Sequence, residues 1–461
     1  MLGSCAKVEE PTVDELQAVS LKEWIGLYGE GAEAYPNGMY IKKLVNSSKP
    51  NAKKPVANCW IKINYTSRTL DGDVFATRDA DVAMEQGTFK AYTHYAPEYL
   101  GFYVGSGYYT ELPLGEYDAL SMMEEGDIWR VYLPSRLAYG GYGTVYGQGY
   151  HGQHPLGADI PVVIDLELVE VVPFPLSHEE DLVMAYAMNN FGQQPRDSLA
   201  SGIYIHSLGD MGDTATVRYQ SEMTTDKITE VYYTVRFMDG FVFDTNIEDT
   251  ARKYNFYTPS NSYDPLEVRV SGYVNNDIDE NEESVYIEGF YKALLGMKYG
   301  QTARAVFTSS LGYGSSGNGY GNVSTIIDPY TPLVYDLFAI SRGGDGQEDL
   351  PVFVAGVIDY NGSMLNAWVS GYVVGVTEGE VSDARFEGPF TTKTNLILAD
   401  SPSEKKTSKV IAVELPAGAV QDALNLVDNA SLLGQRIKVR GNILPYLGAN
   451  GVEGVFDYRL P

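Results

Sequence analysis

Hydrophobic and polar residues alternate with two different periods in the stretch 286–313, YIEGFYKALLGMKYGQTARAVFTSSLGY. An apolar face typical of a helix of about two turns is formed by Phe290, Ala293, Leu294 and Met297. Gly300 follows at a place where a left-handed helix cap is expected. Every second residue is then apolar at Ala303, Ala305 and Phe307, an alternation typical of a half-buried strand. The stretch therefore predicts a short helix, a turn and a strand.

The same residue pattern occurs earlier in the chain, as a repeat of a whole domain. Tyr65, Phe75 and their neighbours match residues 168 positions later, and Gly115 and Tyr139 match residues 174 positions later. Each copy follows an apolar-periodic stretch with a capping box, which predicts a lead-in helix. The two capping boxes are Thr12 with Glu15 and Ser177 with Glu180, and the first helix is predicted from about Val13 to Leu27.

A third segment, residues 350–461, has a different pattern. Strand-like runs are found at Trp368–Val376, Asn395–Ala399, Val410–Glu414, Gln435–Asn442 and Val455–Leu460, and a helix-like run at Val420–Leu433. Five strands with a helix before the fourth predict a small OB-like barrel. The predicted fold class of the whole chain is α+β, mostly β.

The hairpin VYYTVRFMDGFVFDTN begins a series of spaced motifs with a specific order. The order is Y-T-x(4)-D-G-x-V-F-D, I-x-G-F, a later Y-G and I-I-x-P-x-T-x-L-V-Y-D-L, from about Val231 to Leu337. This order resembles an FKBP-type peptidyl-prolyl isomerase domain. The resemblance implies a curved antiparallel sheet around one short helix, present twice, each time with an extra N-terminal helix. The third segment resembles OB-like modules at the C-termini of bacterial surface lipoproteins.

The resemblance also implies site residues in the second copy. Turning a prolyl bond requires no nucleophile but an apolar aromatic pocket and a hydrogen-bond donor. The implied catalytic residues are Tyr233, Asp244, Phe290 and Tyr313. The implied substrate-binding residues are Phe243, Ile287, Ile327 and Tyr335. Phe290 stands where the family usually has Trp.

The first copy departs from the family pattern at two positions. Glu116 stands at the pocket floor, and Ala76 stands where the carboxylate is expected. A buried charge is costly unless it is paired. We therefore expect a degenerate, inactive pocket, formed by Tyr65, Phe75, Glu116, Tyr139 and Ile164.

Composition and charge restrict the partners and the location. The net charge of −28 argues against nucleic acid, because phosphate binding requires a basic surface. Leu2-Gly3-Ser4-Cys5 has the form of a bacterial lipobox, so Cys5 is a predicted lipidation site. The predicted location is extracytoplasmic, lipid-anchored to the bacterial outer membrane on its periplasmic or cell-surface face. No motif predicts a cofactor or a metal site.

The predicted organisation has four parts. Residues 1–10 form a lipobox and tether, 11–172 and 173–343 the two isomerase-like domains, and 350–461 the OB-like domain. The predicted function is prolyl isomerisation that assists the folding of extracytoplasmic proteins. The expected partners are proline-containing clients and, from the resemblance, ligands of the macrolide immunosuppressant type. A non-catalytic chaperone or scaffold and a surface binding lipoprotein are the alternatives.

Overall fold

A capping box sets the start of the first helix. The computed structural model describes residues 11–102, 112–143, 155–191, 202–210, 228–269, 287–318, 326–340 and 342–461. Helix α1 spans Val13–Tyr28; the Thr12 hydroxyl accepts from the Glu15 amide, and the Glu15 carboxylate accepts from the Thr12 amide. These bonds give partners to two backbone amides at the helix start, where no carbonyl of the helix is available to accept from them. The predicted start of this helix is confirmed.

An antiparallel sheet follows α1. Its strands are β1 (Glu33–Ala34), β2 (Tyr40–Val45), β3 (Cys59–Thr69), β4 (Val74–Thr77), β5 (Glu98–Phe102), β6 (Ile128–Leu133) and β7 (Val162–Val172). The helices between them are α2 (Ala80–Glu85) and α3 (Leu114–Met122). The strand order is β1-β2-β6-β7-β3-β4, and β5 also pairs with β3. We call this sheet with α1, α2 and α3 the first unit.

A second antiparallel sheet has the corresponding order. Its strands are β8 (Ile203–Asp210), β9 (Ile228–Arg236), β10 (Val242–Thr245), β11 (Leu266–Arg269), β12 (Gln301–Phe307) and β13 (Leu333–Ala339). Its helices are α4 (Pro175–Phe191), α5 (Glu248–Lys253) and α6 (Glu288–Leu295). The order is β10-β9-β13-β12-β8, and β11 pairs with β9. We call this sheet with α4, α5 and α6 the second unit.

The lead-in helix α4 begins earlier than its predicted capping box. Its first residue is Pro175, so Ser177 lies inside the first turn and is not an N-cap. Proline suits the first helical position, because its fixed φ is helical and its missing amide hydrogen would have had no helical partner. The capping box predicted from Ser177 and Glu180 is therefore wrong.

The C-terminal segment is a closed five-stranded barrel. Its elements are β14 (Val352–Phe353), α7 (Val354–Ile358), β15 (Met364–Gly375), β16 (Asn395–Ala399), β17 (Val410–Glu414), α8 (Ala419–Leu424), β18 (Arg436–Tyr446) and β19 (Ala449–Arg459). The order β15-β16-β17-β19-β18 closes because β15 also pairs with β18. The predicted fold class is confirmed. The helix predicted over Val420–Leu433 is too long, since α8 ends at Leu424 and turns follow it.

A close approach between helix and strand organises the core of the second unit. A Cβ added at Gly289 on α6 would lie 2.5 Å from the Phe307 ring on β12. The absence of a side chain lets the helix pack directly onto the concave face, where Phe290, Ala293 and Leu294 are buried. Gly115 on α3 approaches β6 in the same way. The predicted cap at Gly300 is wrong, because α6 ends at Leu295 with Gly296 as its C-cap, although Gly300 does adopt a φ of +80°.

The lead-in helices cover the convex faces of the two sheets. Leu21 of α1 packs with Tyr132 and Val163, and Val183 of α4 packs in a cluster with Val306. Each sheet is therefore covered on both faces, which is why residues of both parities along β6 and β12 are buried.

The second unit also contacts the barrel, where the Lys409 ammonium lies 2.5 Å from the Glu230 carboxylate.

One buried carboxylate attaches α4 to its sheet. The Glu179 carboxylate accepts from the Ser309 amide at 3.0 Å and from the Ser309 hydroxyl at 2.9 Å. Burial raises the pKa of Glu179 above its ordinary value, although the bonds from Ser309 oppose this. In the first unit the corresponding acceptor is a neutral amide, the Gln17 side chain, which accepts from the Ser135 amide at 3.1 Å.

The raised pKa predicts a pH-dependent effect of Glu179→Gln. The folded state holds the Glu179 proton more tightly than the unfolded state, so wild-type stability falls as pH rises from the unfolded pKa to the folded one. The variant lacks this proton, so its stability relative to wild type should rise across the same window. Urea unfolding over a pH series from about 4 to about 8 measures this. The exposed neighbour variant Glu180→Gln is the control, and parallel pH curves for wild type and Glu179→Gln would refute the prediction.

Candidate functional site

Three aromatic rings meet on the concave face of the second unit. Tyr233 lies on β9, Phe290 on α6 and Tyr335 on β13. The ring centroids of Phe290 and Tyr335 are 5.6 Å apart, those of Tyr233 and Phe290 are 6.3 Å apart, and both pairs pack edge to face. This geometry is the favoured one for aromatic pairs. Phe290 is 2% exposed, so its ring forms an apolar floor between two tyrosines.

A carboxylate orients the Tyr233 ring. The Tyr233 hydroxyl donates to Asp244 on β10 at 3.0 Å. The pairing of β10 with β9 shifts register between Val242 and Asp244, which is how a bulge re-aims side chains at a strand end. Although part of Asp244 is exposed, burial of its carboxylate raises its pKa above the ordinary value, and the bonds from Tyr233 and the Thr245 amide oppose this.

Tyr313 stands at the rim of the same pocket. It keeps 38% of its surface exposed, yet burial of its hydroxyl raises its pKa, with a further contribution from the negative charge of Asp244. Burial also raises the pKa of Tyr335 well above the ordinary value, with contributions from Tyr313, Tyr233 and Asp244.

Hydrogen bonds join the segment after Tyr313 to Ile327. The Ile327 amide donates to the Asn318 side chain at 2.9 Å, and the Asn318 amide donates to the Ile327 carbonyl at 3.1 Å. Gly317 has a φ of +64° and a ψ of −163°, a conformation that only glycine adopts readily. A Cβ at Gly317 would overlap the Ile327 carbonyl oxygen.

The two remaining residues of the expected set lie at the ends of neighbouring elements. Phe243 on β10 packs on Phe237 with centroids 4.6 Å apart. Ile287 immediately precedes α6 with an extended backbone, and its carbonyl accepts from the Phe290 amide. The structure therefore gathers the eight predicted residues around the concave face of one sheet. Their roles stay predictions.

The pocket of the first unit contains buried carboxyl groups. Glu116 on α3 is 1% exposed, and the Tyr65 hydroxyl donates to Glu98 at 2.9 Å. Burial raises the pKa of Tyr65 well above the ordinary value, with further contributions from Glu98 and, more weakly, Glu116, while Arg78 opposes them. The Tyr139 ring packs on Phe75 at 5.6 Å, and Ile164 is buried in the same core. The predicted members are thus adjacent, but with carboxylates where the second unit has aromatic and aliphatic groups.

Sequence reasoning missed Glu98. The offset of 168 that relates Tyr65 to Tyr233 also relates Glu98 to Leu266 and Ala76 to Asp244. The first unit therefore takes the carboxylate partner of its tyrosine from β5, whereas the second unit takes it from β10. Extending the constant offset to β5 would have shown an acidic residue at the position of Leu266, but not its contact with Tyr65.

The barrel face that OB folds commonly use for ligands is covered. That face is formed by the second and third strands, here β16 and β17. Their outward residues Ile397 and Ala412 are buried under the barrel's own segment 381–386, which contributes Val381 and Phe386. The alternative in which the barrel binds ligands on this face is therefore disfavoured.

Comparison with known proteins defines the class of the second unit. Residues 219–339 match the family model described as FKBP-type peptidyl-prolyl cis-trans isomerase, and residues 353–461 match a domain of unknown function, DUF6359. The second unit, with the sheet and aromatic residues described above, therefore contains most of the region that matches the FKBP-type isomerase model.

Individual relatives cover smaller parts of the chain. A region of 136 residues is 30% identical to the macrophage infectivity potentiator of Trypanosoma cruzi, covering 30% of this chain and 54% of that protein. A region of 77 residues is 32% identical to the short-type peptidyl-prolyl cis-trans isomerase of Methanocaldococcus jannaschii, covering 17% of this chain and 42% of that protein. The chain thus spans about half the length of these curated relatives.

Solved structures with low similarity include one protein from wheat and one from Escherichia coli. The three FKBP domains of wheat FKBP73 are 18% identical with a TM-score of 0.22, covering 66% of this chain and 95% of that chain. FkpA from Escherichia coli is 19% identical with a TM-score of 0.24, covering 34% of this chain and 60% of that chain.

Some expectations concern residues outside the described parts. Cys5 lies there, so its lipidation stays a prediction. Among the described residues, no cluster of three or more His, Cys, Asp or Glu side chains could hold a metal ion. In the same part of the chain, no helix combines the length and apolar character required to cross a bilayer.

Gly317→Ala should damage the pocket loop more than Gly314→Ala. Both glycines have a φ of +64°, which costs a residue with a Cβ about 1–2 kcal/mol. Gly314 has open space around a new Cβ, whereas at Gly317 the Cβ would meet the Ile327 carbonyl oxygen. Urea unfolding should show a larger loss of stability for Gly317→Ala. Equal losses in the two variants would mean that this contact is not a constraint.

Proposed function

We propose that the second unit catalyses cis–trans isomerisation of prolyl peptide bonds in polypeptide clients. The observation that carries this proposal is the edge-to-face arrangement of Tyr233, Phe290 and Tyr335 on one concave face. These residues fall within the region that matches the FKBP-type isomerase family. The pocket is therefore a candidate for holding a proline ring.

The chemistry requires stabilisation of a twisted amide. Rotation about a peptide C–N bond has a barrier of about 18–20 kcal/mol, because resonance gives the bond partial double-bond character. A pocket lowers this barrier only if it binds the twisted amide more tightly than the planar one. Apolar walls disfavour the dipolar planar form, and a positioned donor holds the carbonyl oxygen as it turns.

Each pocket residue has a proposed role in this step. Phe290 is the floor under the proline ring, and Tyr335 and Phe243 are walls. The Tyr313 hydroxyl at the rim donates to the turning carbonyl. Asp244 accepts from the Tyr233 hydroxyl and so keeps that ring in place. Ile287 and Ile327 flank the peptide on either side of the ring.

The first unit is proposed to be inactive. Glu116 occupies the floor position that Phe290 occupies in the second unit, and it is 1% exposed. A carboxylate there gives a proline ring no apolar surface to bury, which removes about 25 cal/mol per Å² of binding free energy. The buried carboxyl group favours a non-catalytic role for this unit, as the chaperone or scaffold alternative requires.

Tyr313→Phe and Tyr139→Phe form a matched pair for testing the assignment. Residues 139 and 313 occupy corresponding positions in the two units. Loss of one hydrogen bond to the turning carbonyl, worth about 0.5–1.5 kcal/mol, should lower kcat/KM by about 2- to 10-fold for Tyr313→Phe. Tyr139→Phe should leave kcat/KM unchanged. The measurement is a protease-coupled prolyl peptide assay on the full chain.

Two results would count against the assignment. Equal losses in both variants would indicate that both units turn over substrate. A wild-type chain that binds proline-containing peptides without accelerating isomerisation would support the scaffold alternative. A macrolide of the immunosuppressant type is the proposed competitive ligand. Substitution of Phe290 should abolish its inhibition of the isomerase activity.

The proposed setting is extracytoplasmic, with the chain anchored to the bacterial outer membrane by lipid on Cys5. The lipobox-like Leu2-Gly3-Ser4-Cys5 supports this proposal, and the polar run after it would act as a tether. One acyl chain gives only marginal membrane binding, so stable anchoring would use several chains.

Cys5→Ser should abolish lipid incorporation in a bacterial host. Metabolic labelling with a fatty acid is expected to mark the wild-type chain and not the variant, because the thiol is the proposed attachment site. Membrane fractionation provides the second readout, with Cys59→Ser as the control at the buried cysteine. Equal label on wild type and Cys5→Ser would rule the anchor out.

A further inference from the structure

The first unit contacts the loop that carries Ile327 of the second pocket. The Trp60 ring packs edge-on against Tyr330, with centroids 4.9 Å apart, and Tyr99 lies edge-on to Tyr330 at 6.3 Å. The Tyr99 amide donates to the Asp328 carboxylate at 3.3 Å. Trp60 and Tyr99 also stack on each other at 5.4 Å. Two strands of the first unit therefore hold the loop 326–332 of the second.

This loop is coupled directly to pocket residues. Asp328 follows Ile327 in the chain, and the Tyr330 amide donates to the Gly314 carbonyl at 2.9 Å, one residue after Tyr313. Tyr330 has a φ of +53°, a region that bulky residues rarely adopt unless their surroundings impose it. The corresponding residue of the first unit is Asp159, a residue type that tolerates this region better, with a φ of +57°. The packing of Tyr330 against Trp60 and Tyr99 supplies the constraint in the second unit.

A second contact of the first unit reaches the part of the pocket that carries Phe243. The His94 imidazole lies 2.6 Å from the Asp239 carboxylate, and its ring packs on Phe237 at 4.5 Å and Phe241 at 4.9 Å. Phe237 in turn packs on the pocket residue Phe243. A cavity of about 420 Å³ lies between the units, and both contacts contribute to its lining. The first unit thus contacts two separate edges of the second pocket.

The contacting residues are specific to the first unit. At the offset of 168, Trp60, Tyr99 and His94 correspond to Ile228, Glu267 and Ser262 in the second unit. The aromatic surface has therefore no counterpart in the other copy, although the strands that carry it are repeated. A difference of this kind is expected if the first unit acts on the second and not the reverse.

We propose that Trp60, Tyr99 and His94 are positioning residues for the second pocket, which they hold in its binding-competent form from the neighbouring unit. The inference rests on the proposed isomerase function of that pocket. The first unit then contributes to catalysis without binding the proline itself. Loss of one aromatic contact should reduce the competent fraction of the pocket and lower kcat/KM by about 2- to 10-fold.

The test compares Trp60→Ala with Trp60→Phe in the full chain. Three quantities are measured: amide hydrogen exchange of residues 326–332, affinity for a proline-containing tetrapeptide, and kcat/KM for its isomerisation. Trp60→Ala should speed amide exchange and lower both the tetrapeptide affinity and kcat/KM. Trp60→Phe should restore most of each. Trp24→Ala is the control, because Trp24 packs on Tyr132 at 5.9 Å on the convex side of the first unit.

Tyr330→Ala provides a second variant in case Trp60→Ala loses its fold. This substitution removes the partner ring from the loop. If the two rings act as a pair, the double variant of Trp60→Ala and Tyr330→Ala should lose no more affinity and kcat/KM than either single variant. Unchanged exchange, or faster exchange with unchanged affinity and kcat/KM, would overturn the inference. If the wild type binds the tetrapeptide but does not isomerise it, the proposed function fails, and the affinity readout still decides the inference.

Discussion

The close packing of helix α6 on strand β12 is the constraint on which the pocket depends. Gly289 lets the helix lie against the Phe307 ring, because any Cβ there would be 2.5 Å from it. The next residue, Phe290, is thereby directed between Tyr233 and Tyr335. The helix position and the aromatic floor therefore depend on one helix–strand contact.

The two units share this constraint and differ in what they bury. Gly115 gives α3 the same approach to its sheet, yet the next residue is Glu116, whose burial brings a carboxyl group to the floor. The fold thus tolerates either residue, whereas the proposed chemistry requires the apolar one. The aromatic surface of the first unit around Trp60 gives this unit a structural connection to the second pocket.

Much of the fold could be predicted from local pattern, whereas the pocket residues were implied by the resemblance to a family and their roles stay predictions. Strand β16 has the predicted bounds Asn395–Ala399, because its apolar run and flanking turns are both local signals. The prediction at Ser177 failed, because Pro175 starts α4 earlier than a capping motif suggests. Glu98 and Trp60 were missed for another reason: their partners lie on other strands or in another unit, and sequence spacing does not encode such contacts.

The most direct test of the central claim exchanges the two floor residues in the full chain. The claim is that an apolar floor makes the second pocket, and only that pocket, an isomerase. The measurement is kcat/KM for a prolyl peptide with Phe290→Glu and, separately, with Glu116→Phe. The account predicts that Phe290→Glu reduces kcat/KM towards the uncatalysed background, and that Glu116→Phe does not reduce it. Wild-type kcat/KM in the Phe290→Glu chain would contradict the account.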